Sequence, residues 1–115
     1  MPLLKIQTNT DISDSQNASL LERGTRIIVD VLEKPLGYVQ VLAEGKQAIA
    51  FGGSSDPSAF VELRSLGLPE GAPRKLSAAI CALLEEELGI SSKRVFINFF
   101  DMERADWGWD SGTFG

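Results

Sequence analysis

Apolar and polar residues alternate along positions 2–8 (PLLKIQT), which predicts a strand; Pro2 at its first position leaves the hydrogen-bond ladder undisturbed. Asp11 to Asn17 reads as a polar turn with several helix-cap candidates. The period then changes. Leu20, Leu21, Ile27, Ile28, Val31 and Leu32 follow helical spacing, with the small Gly24 between them. That helix should stop near Glu33 and Lys34, because Pro35 disfavours helical geometry in the residue before it. Tyr38 to Leu42 predicts a second strand with Val39 and Val41 on one face, and Ala48 to Phe51 a short one. The cluster Gly52-Gly53-Ser54-Ser55-Asp56-Pro57 closes it as a turn. Residues 58–66 (SAFVELRSL) predict another strand and 67–73 a loop whose Pro73 suits a first helical turn. Leu76, Ala79, Ile80, Leu83, Leu84 and Leu88 form a second apolar stripe, capped by Gly89. Val95 to Phe100 predicts the last long strand, and the tail 105–115 carries both tryptophans.

The order is strand–helix–strand twice. Pro2–Ile6 corresponds to Ala59–Leu63 and Val39–Val41 to Val95–Ile97, a weak repeat of roughly 56 residues (Val39 to Val95). Two βαβ halves predict an α+β fold with a four-stranded mixed sheet and two helices on one face. The strands carry apolar residues on both sides, so the helix-free face is expected to meet copies of itself. The alternative is an ordinary ferredoxin-like monomer.

Composition narrows this picture. A chain of 115 residues suggests a single domain, 1–115, that gains from oligomerisation because it leaves much apolar surface exposed. With 43% hydrophobic and 23% charged residues it has an ordinary globular composition. A net charge of −5 argues against nucleic acid or an anionic membrane as partner. Cys81 is the only cysteine, so no intrachain disulfide is possible. With no basic-then-apolar leader and no membrane-length apolar run, the cytoplasm is the expected location. There is no histidine, which removes Ser-His-Asp and Cys-His catalysis and argues against a metal site. Gly52-Gly53 lacks the remainder of a phosphate loop, and no cofactor is expected. The Glu85-Glu86-Glu87 run reads as helix surface; Asp101, Glu103 and Asp106 read as a solvated loop.

Acid–base chemistry is thereby left to carboxylates, lysine, tyrosine or the chain start. Met-Pro is by itself a common beginning. It also suits removal of the initiator methionine, which would leave Pro2 with a free secondary amine. An α-amino group titrates at about 7.7–8.0 and a lysine at about 10.4, so such an amine is the better base near neutral pH.

The stretches FGGSSDP (51–57), INFFDM (97–102) and GWDSGTF (108–114), with the Met-Pro start and Lys34-Pro35, closely resemble the macrophage migration inhibitory factor family of the tautomerase superfamily, from Met1 to the C-terminus. The resemblance implies a homotrimer of βαβ-repeat subunits whose sheets surround a central channel, with sites between neighbouring subunits. It also implies keto–enol tautomerisation of phenylpyruvate-type α-keto acids and of dopachrome-like compounds, with the N-terminal proline as base. Animal members also act as cytokines, exported without a signal peptide.

Carried over residue by residue, the resemblance makes Pro2 the catalytic base and Lys34 the group that holds the substrate carboxylate. A positive charge beside the amine, and burial, would both lower its pKa. Lys34 alone would equally read as a helix C-terminal charge. Leu66 matches a pocket position whose backbone N–H and side chain line the site, and core packing is its plain reading. Asn98 matches a residue that reaches a ligand from the adjacent subunit. Strand geometry places Phe96, Asn98 and Phe100 on one face. Trp107, Trp109 and Phe114 are expected to wall an aromatic pocket, or else to pin the tail.

The sequence also departs from the family. Trp107 stands where valine is frequent and should narrow the site. Phe96 replaces a frequent tyrosine and lacks its hydroxyl. Ser58 and Val61 stand in place of the Cys-x-x-Cys of some animal members, so no thiol-oxidoreductase function is expected. Ile12 and Lys46 occupy the positions of a receptor-contacting arginine and aspartate, which counts against receptor binding. Two other readings stand beside the enzyme: a cytokine-like or host-modulating signalling protein with a residual pocket, and a trimeric binding module without turnover.

Overall fold

A computed structural model describes residues 1–115. Strand β1 (Leu3–Thr8) leads into helix α1 (Asp14–Leu32) and strand β2 (Gln40–Glu44). Strand β3 (Ala59–Ser65), helix α2 (Ala72–Leu88) and strand β4 (Val95–Asp101) repeat that order. The sheet runs β2-β1-β3-β4. β1 is parallel to β2, β3 is parallel to β4, and the two central strands are antiparallel. Each parallel pair needs a crossover, which its helix supplies. The expected α+β fold, two βαβ repeats with both helices on one face, is the observed one.

Burial shows how the two halves repeat. Leu20, Gly24 and Ile28 form the buried row of α1, and Leu76, Ile80 and Leu84, each 56 positions later, form that of α2. Leu4 and Ile6 of β1 are buried as Val61 and Leu63 of β3 are. Each such aliphatic side chain contributes about 1.5–3 kcal/mol relative to exposure. Gly24 marks the closest approach of α1 to the sheet. A Cβ there would lie 3.2 Å from both Leu4 Cδ2 and Val41 Cγ1.

Several boundaries differ from the sequence reading. α1 starts at Asp14, ahead of the apolar stripe, because Ser13 and Gln16 form a capping box. Ser13 Oγ accepts from Gln16 N–H at 3.2 Å and Gln16 Oε1 accepts from Ser13 N–H at 2.9 Å. Tyr38 is not in a strand. Leu36–Tyr38 forms a 3₁₀ turn after Pro35, and β2 begins only at Gln40. Ala48–Phe51 is apolar enough for a strand but pairs with neither edge of the sheet. Its sole bridge joins Phe51 to Ser54 around Gly52 and Gly53, both at positive φ. Pro2 precedes β1, and β3 is one residue shorter at each end than 58–66. The tail forms a hairpin of two short strands, β5 (Gly108–Trp109) and β6 (Gly112–Thr113).

The helix-free face is mixed. Across its centre run Lys5, Glu62 and Asn98; towards one edge Phe60 and Phe96 are neighbours, and towards the other Leu3, Arg64 and Phe100. The expected alternation in β4 holds: Phe96, Asn98 and Phe100 are exposed, while Val95, Ile97 and Phe99 pack towards the core.

Candidate active site

The start of the chain, the 3₁₀ turn and the tail come together at one end of the sheet. They enclose a cavity of about 290 Å³ lined by Met1, Pro2, Gly37, Tyr38, Val39, Gln40, Trp107, Gly108, Trp109 and Phe114. Backbone bonds fix each wall. Gln40 N–H donates to the Pro2 carbonyl at 3.1 Å, tying the chain start to β2. Tyr38 N–H donates to Pro35 and Val39 N–H to Leu36, closing the turn that presents the Tyr38 ring. The tail doubles back through Asp110 and Ser111, both at positive φ, the geometry that fits the twist of a tight hairpin. Arg104 Nε then donates to the Phe114 carbonyl at 3.0 Å. Trp109 and Phe114 stack at 5.5 Å, and Tyr38 meets them edge-on at 5.7 and 5.9 Å. Such pairs add about 0.5–1.5 kcal/mol each beyond area burial. The three rings are thus a preformed apolar wall.

Lys34 follows the left-handed Glu33 that ends α1. Its ammonium donates to the Leu66 carbonyl at 2.8 Å. Leu66, buried at the end of β3, is held in turn by its neighbours. Ser65 carbonyl accepts from Met102 N–H at 2.8 Å, and Asp101 Oδ1 accepts from Gly67 N–H at 3.0 Å. Lys34 and Leu66 therefore form one hydrogen-bonded unit. Through its carbonyl Leu66 positions the lysine.

The two parts are electrically connected. Burial first, and the Lys34 charge second, hold the Met1 amine below its ordinary value of 8.0. Both causes disfavour the ammonium. An amine at this chain start accordingly gives up its proton more readily than an exposed one.

Of the residues singled out from sequence, Pro2, Trp107, Trp109 and Phe114 line this cavity together. Lys34, Leu66, Phe96 and Asn98 do not. β1 and β3 are antiparallel, so Phe60, and Phe96 beside it, align with Gln7, while the chain start lies beyond Leu3. Five residues of strand span roughly 17 Å. Phe96 is 64% exposed and packs on Phe51 at 4.7 Å. It lines a separate apolar cavity of about 430 Å³ with Ile49, Ala50 and Phe60. Within one chain neither Phe96 nor Asn98 reaches Pro2.

Sequence reasoning missed Tyr38 as a site residue, although Pro35 and Gly37 around it signal a turn. No cluster of three or more His, Cys, Asp or Glu side chains is placed to hold a metal. Burial pushes the Cys81 thiol up, which keeps it in the unreactive protonated form.

Two βαβ repeats whose chain start lies among aromatic rings within reach of a lysine define a protein of the tautomerase fold class. A sequence model described as macrophage migration inhibitory factor matches residues 1–115. The macrophage migration inhibitory factor of Meriones unguiculatus is 38% identical over 115 residues, 99% of each chain. The Trichuris trichiura homolog is 37% identical over 99% of this chain and all of its own. The crystal structure of the Prochlorococcus marinus homologue superposes with a TM-score of 0.94 at 31% identity, covering 98% of this chain and 99% of that one. The chain belongs to the macrophage migration inhibitory factor family.

Proposed function

We propose that the protein is a keto–enol tautomerase of phenylpyruvate-type α-keto acids, with Pro2 as the catalytic base once Met1 is removed. The observation that carries this reading is the setting of the terminal amine. That amine belongs to Met1 and opens into a cavity walled by aromatic rings, with burial and the Lys34 charge both working against its protonation; Pro2, the next residue, lines the same cavity and would carry the amine once Met1 is removed. Neutral Pro2 nitrogen takes a proton from the carbon next to the keto group. The C–H electron pair forms the enolate double bond, and the carbonyl π pair moves to oxygen. Oxygen then takes a proton, and Pro2 releases its own to complete the cycle. Efficiency of such a base is greatest when its pKa lies near working pH. Lys34 holds the carboxylate, and Trp109, Phe114 and Tyr38 receive the ring.

We further infer a homotrimer in which a neighbouring copy brings Phe96 and Asn98 to the site. Their exposure, and their distance from Pro2 in a single chain, support that assignment. Dopachrome-like compounds fit the same pocket chemistry.

Phenylpyruvate tautomerisation followed in the ultraviolet, with a mass-verified Pro2 N-terminus, tests the proposal. Turnover should be lost in Pro2→Gly with the assembly intact. A Pro2→Gly variant as active as the parent would remove proline from the mechanism. A cytokine-like role is the second reading, favoured by what the relatives are called. Against it, Ile12 and Lys46 stand at the positions where the resemblance puts a receptor-contacting arginine and aspartate, and Lys46 lies 3.8 Å from Asp11.

A further inference from the structure

We propose that Asp101 is a positioning residue for Lys34, acting through the single peptide group that joins Leu66 to Gly67. The ligand side of this inference, a carboxylate held by Lys34, rests on the tautomerase reading. Asp101 ends β4 instead of lying in a solvated loop. Strand alternation gives it the side of the sheet that Val95, Ile97 and Phe99 turn towards the core. A carboxylate there departs from the apolar pattern of those three. Its register partner is Ser65, the last residue of β3, so it stands where the chain leaves the sheet.

Two hydrogen bonds make the bridge. Lys34 Nζ donates to the Leu66 carbonyl at 2.8 Å, and Asp101 Oδ1 accepts from Gly67 N–H at 3.0 Å. That carbonyl and that N–H belong to one peptide unit. In a planar trans peptide they point in opposite directions, so a cation and an anion hold the two ends of a single dipole. Neither Lys34 nor Asp101 takes part in an ion pair. No partner of opposite charge competes with the peptide for either of them.

Gly67 is the reason the peptide needs holding. It takes φ 90°, where a side chain would be strained. Glycine visits positive and negative φ about equally readily, so by itself the Leu66–Gly67 peptide is free to turn over. Turned over, its N–H would face the Lys34 ammonium and its carbonyl the Asp101 carboxylate, and both contacts would be repulsive. The two charges therefore select one orientation together. Met102 N–H, bonded to the Ser65 carbonyl at 2.8 Å, anchors the strand one residue earlier. A Cβ on Gly67 would lie 3.9 Å from Lys34 Nζ, so no side chain separates the lysine from this peptide. The carbonyl occupies one of the three ammonium donors and leaves the others to a ligand carboxylate. By fixing the carbonyl, Asp101 sets where those donors point. Every contact in the bridge lies within one chain.

The test reads a ligand-free signal beside ligand affinity. The variants are Asp101→Ala, Asp101→Asn, Lys34→Met and Lys34→Met/Asp101→Ala, each checked for native circular dichroism and the parent's assembly size. In ligand-free protein the solvent-exchange rate of the Gly67 amide is followed by NMR. Lys34 does not touch that N–H, yet Lys34→Met should speed its exchange about threefold or more, because the peptide is then free to open. Loss of a nearby cation alone would slow hydroxide-catalysed exchange, so a rise reports release of the peptide. An unchanged or slower rate overturns the proposal. Affinity for cinnamate, a carboxylate that does not tautomerise, is measured by calorimetry. Asp101→Ala should weaken it about five- to tenfold, the scale of a hydrogen bond to a charged group. Asp101→Asn keeps an acceptor oxygen and should recover most of the loss. In the Lys34→Met background, Asp101→Ala should change affinity less than about twofold. An equal loss with and without Lys34 would make Asp101 merely structural and overturn the proposal, as would an Asp101→Ala variant that binds like the parent. Where binding to Lys34→Met is too weak to measure, the exchange rate decides. With phenylpyruvate the loss should fall on KM, and a loss confined to kcat overturns the positioning role. Absence of turnover by wild type with a verified Pro2 start would sink the tautomerase reading, while Gly67 exchange would still decide the role of Asp101.

Discussion

The turn after α1 and the turn after α2 share a backbone course. In each half the helix ends on a left-handed residue, Glu33 or Gly89, a 3₁₀ turn follows, and a strand begins. The last residue of the first turn is Tyr38 and that of the second, 56 positions on, is Arg94. Tyr38 receives the C-terminal tail through ring edges alone, and a cavity remains beside it. Arg94 receives the 51–57 loop through hydrogen bonds to the carbonyls of Phe51, Ser54, Asp56 and Pro57, at 2.9–3.2 Å, with its guanidinium over the Phe51 ring. One scaffold position thus holds a site open in the first half and holds a loop shut in the second. The same division separates Lys34, charged beside the terminal amine, from its counterpart Ile90, which is buried in the core.

The sharpest way to break that contrast is to give the first half the residue of the second. Lys34→Ile should lower kcat/KM for phenylpyruvate about 100-fold, the weight of a lost charge-assisted hydrogen bond of up to about 3 kcal/mol. The pH profile carries the finer information. Lys34 lowers the pKa of the Met1 amine, and the same charge beside a Pro2 amine acts in the same direction, so its removal should let that amine keep its proton to higher pH. The acid limb of kcat/KM should therefore move upward. The move should be partial, because burial is the larger cause and remains. A limb that stays in place would mean that lysine and amine act independently.

Arg94→Ala tests the closed half. Loss of four carbonyl contacts should reduce stability by about 2–3 kcal/mol, less than four independent bonds because they share one side chain. Urea unfolding measures it. Arg94→Lys should recover under half of the loss, since a point charge cannot reach carbonyls spread around a planar fork. Unchanged stability in Arg94→Ala would show that the Gly52-Gly53 turn closes the loop unaided.

How far the sequence reads through to this contrast depends on the range of the contacts. Both helices and the four sheet strands are legible because their periodicity is local and one-sided burial enforces it, as along Leu20, Gly24 and Ile28. Ala48–Phe51 shows the limit. An apolar run satisfies the pattern of a strand, but a strand also needs a partner, and neither sheet edge offers one. Pro2 is a candidate from the Met-Pro start alone, and resemblance singles it out together with Lys34, Trp109 and Phe114. The cavity itself depends on Tyr38 meeting a tail some seventy residues away, and no local pattern carries that.

The smallest effect concerns the two left-handed caps. Gly89 takes φ 68° at little steric cost, while Glu33 takes φ 53° and ψ 39° with a Cβ close to its own carbonyl. That conformation costs a non-glycine residue roughly 1–2 kcal/mol. Glycine would relieve it but would lose more backbone freedom on folding, so Glu33→Gly should gain only about 0.5–1 kcal/mol. Equilibrium unfolding in urea resolves a gain of that size as a shift in midpoint at constant m-value. The reason to measure it lies next door, for Glu33 directly precedes Lys34 and sets the direction from which the ammonium reaches the Leu66 carbonyl. If the strain only ends the helix, the variant will be more stable and equally active. If the rigid cap also aims Lys34, the gain in stability will come with a raised KM for phenylpyruvate and little change in kcat. A variant less stable than wild type would mean that Glu33 makes an interaction outweighing the strain, and the two caps would then differ in kind.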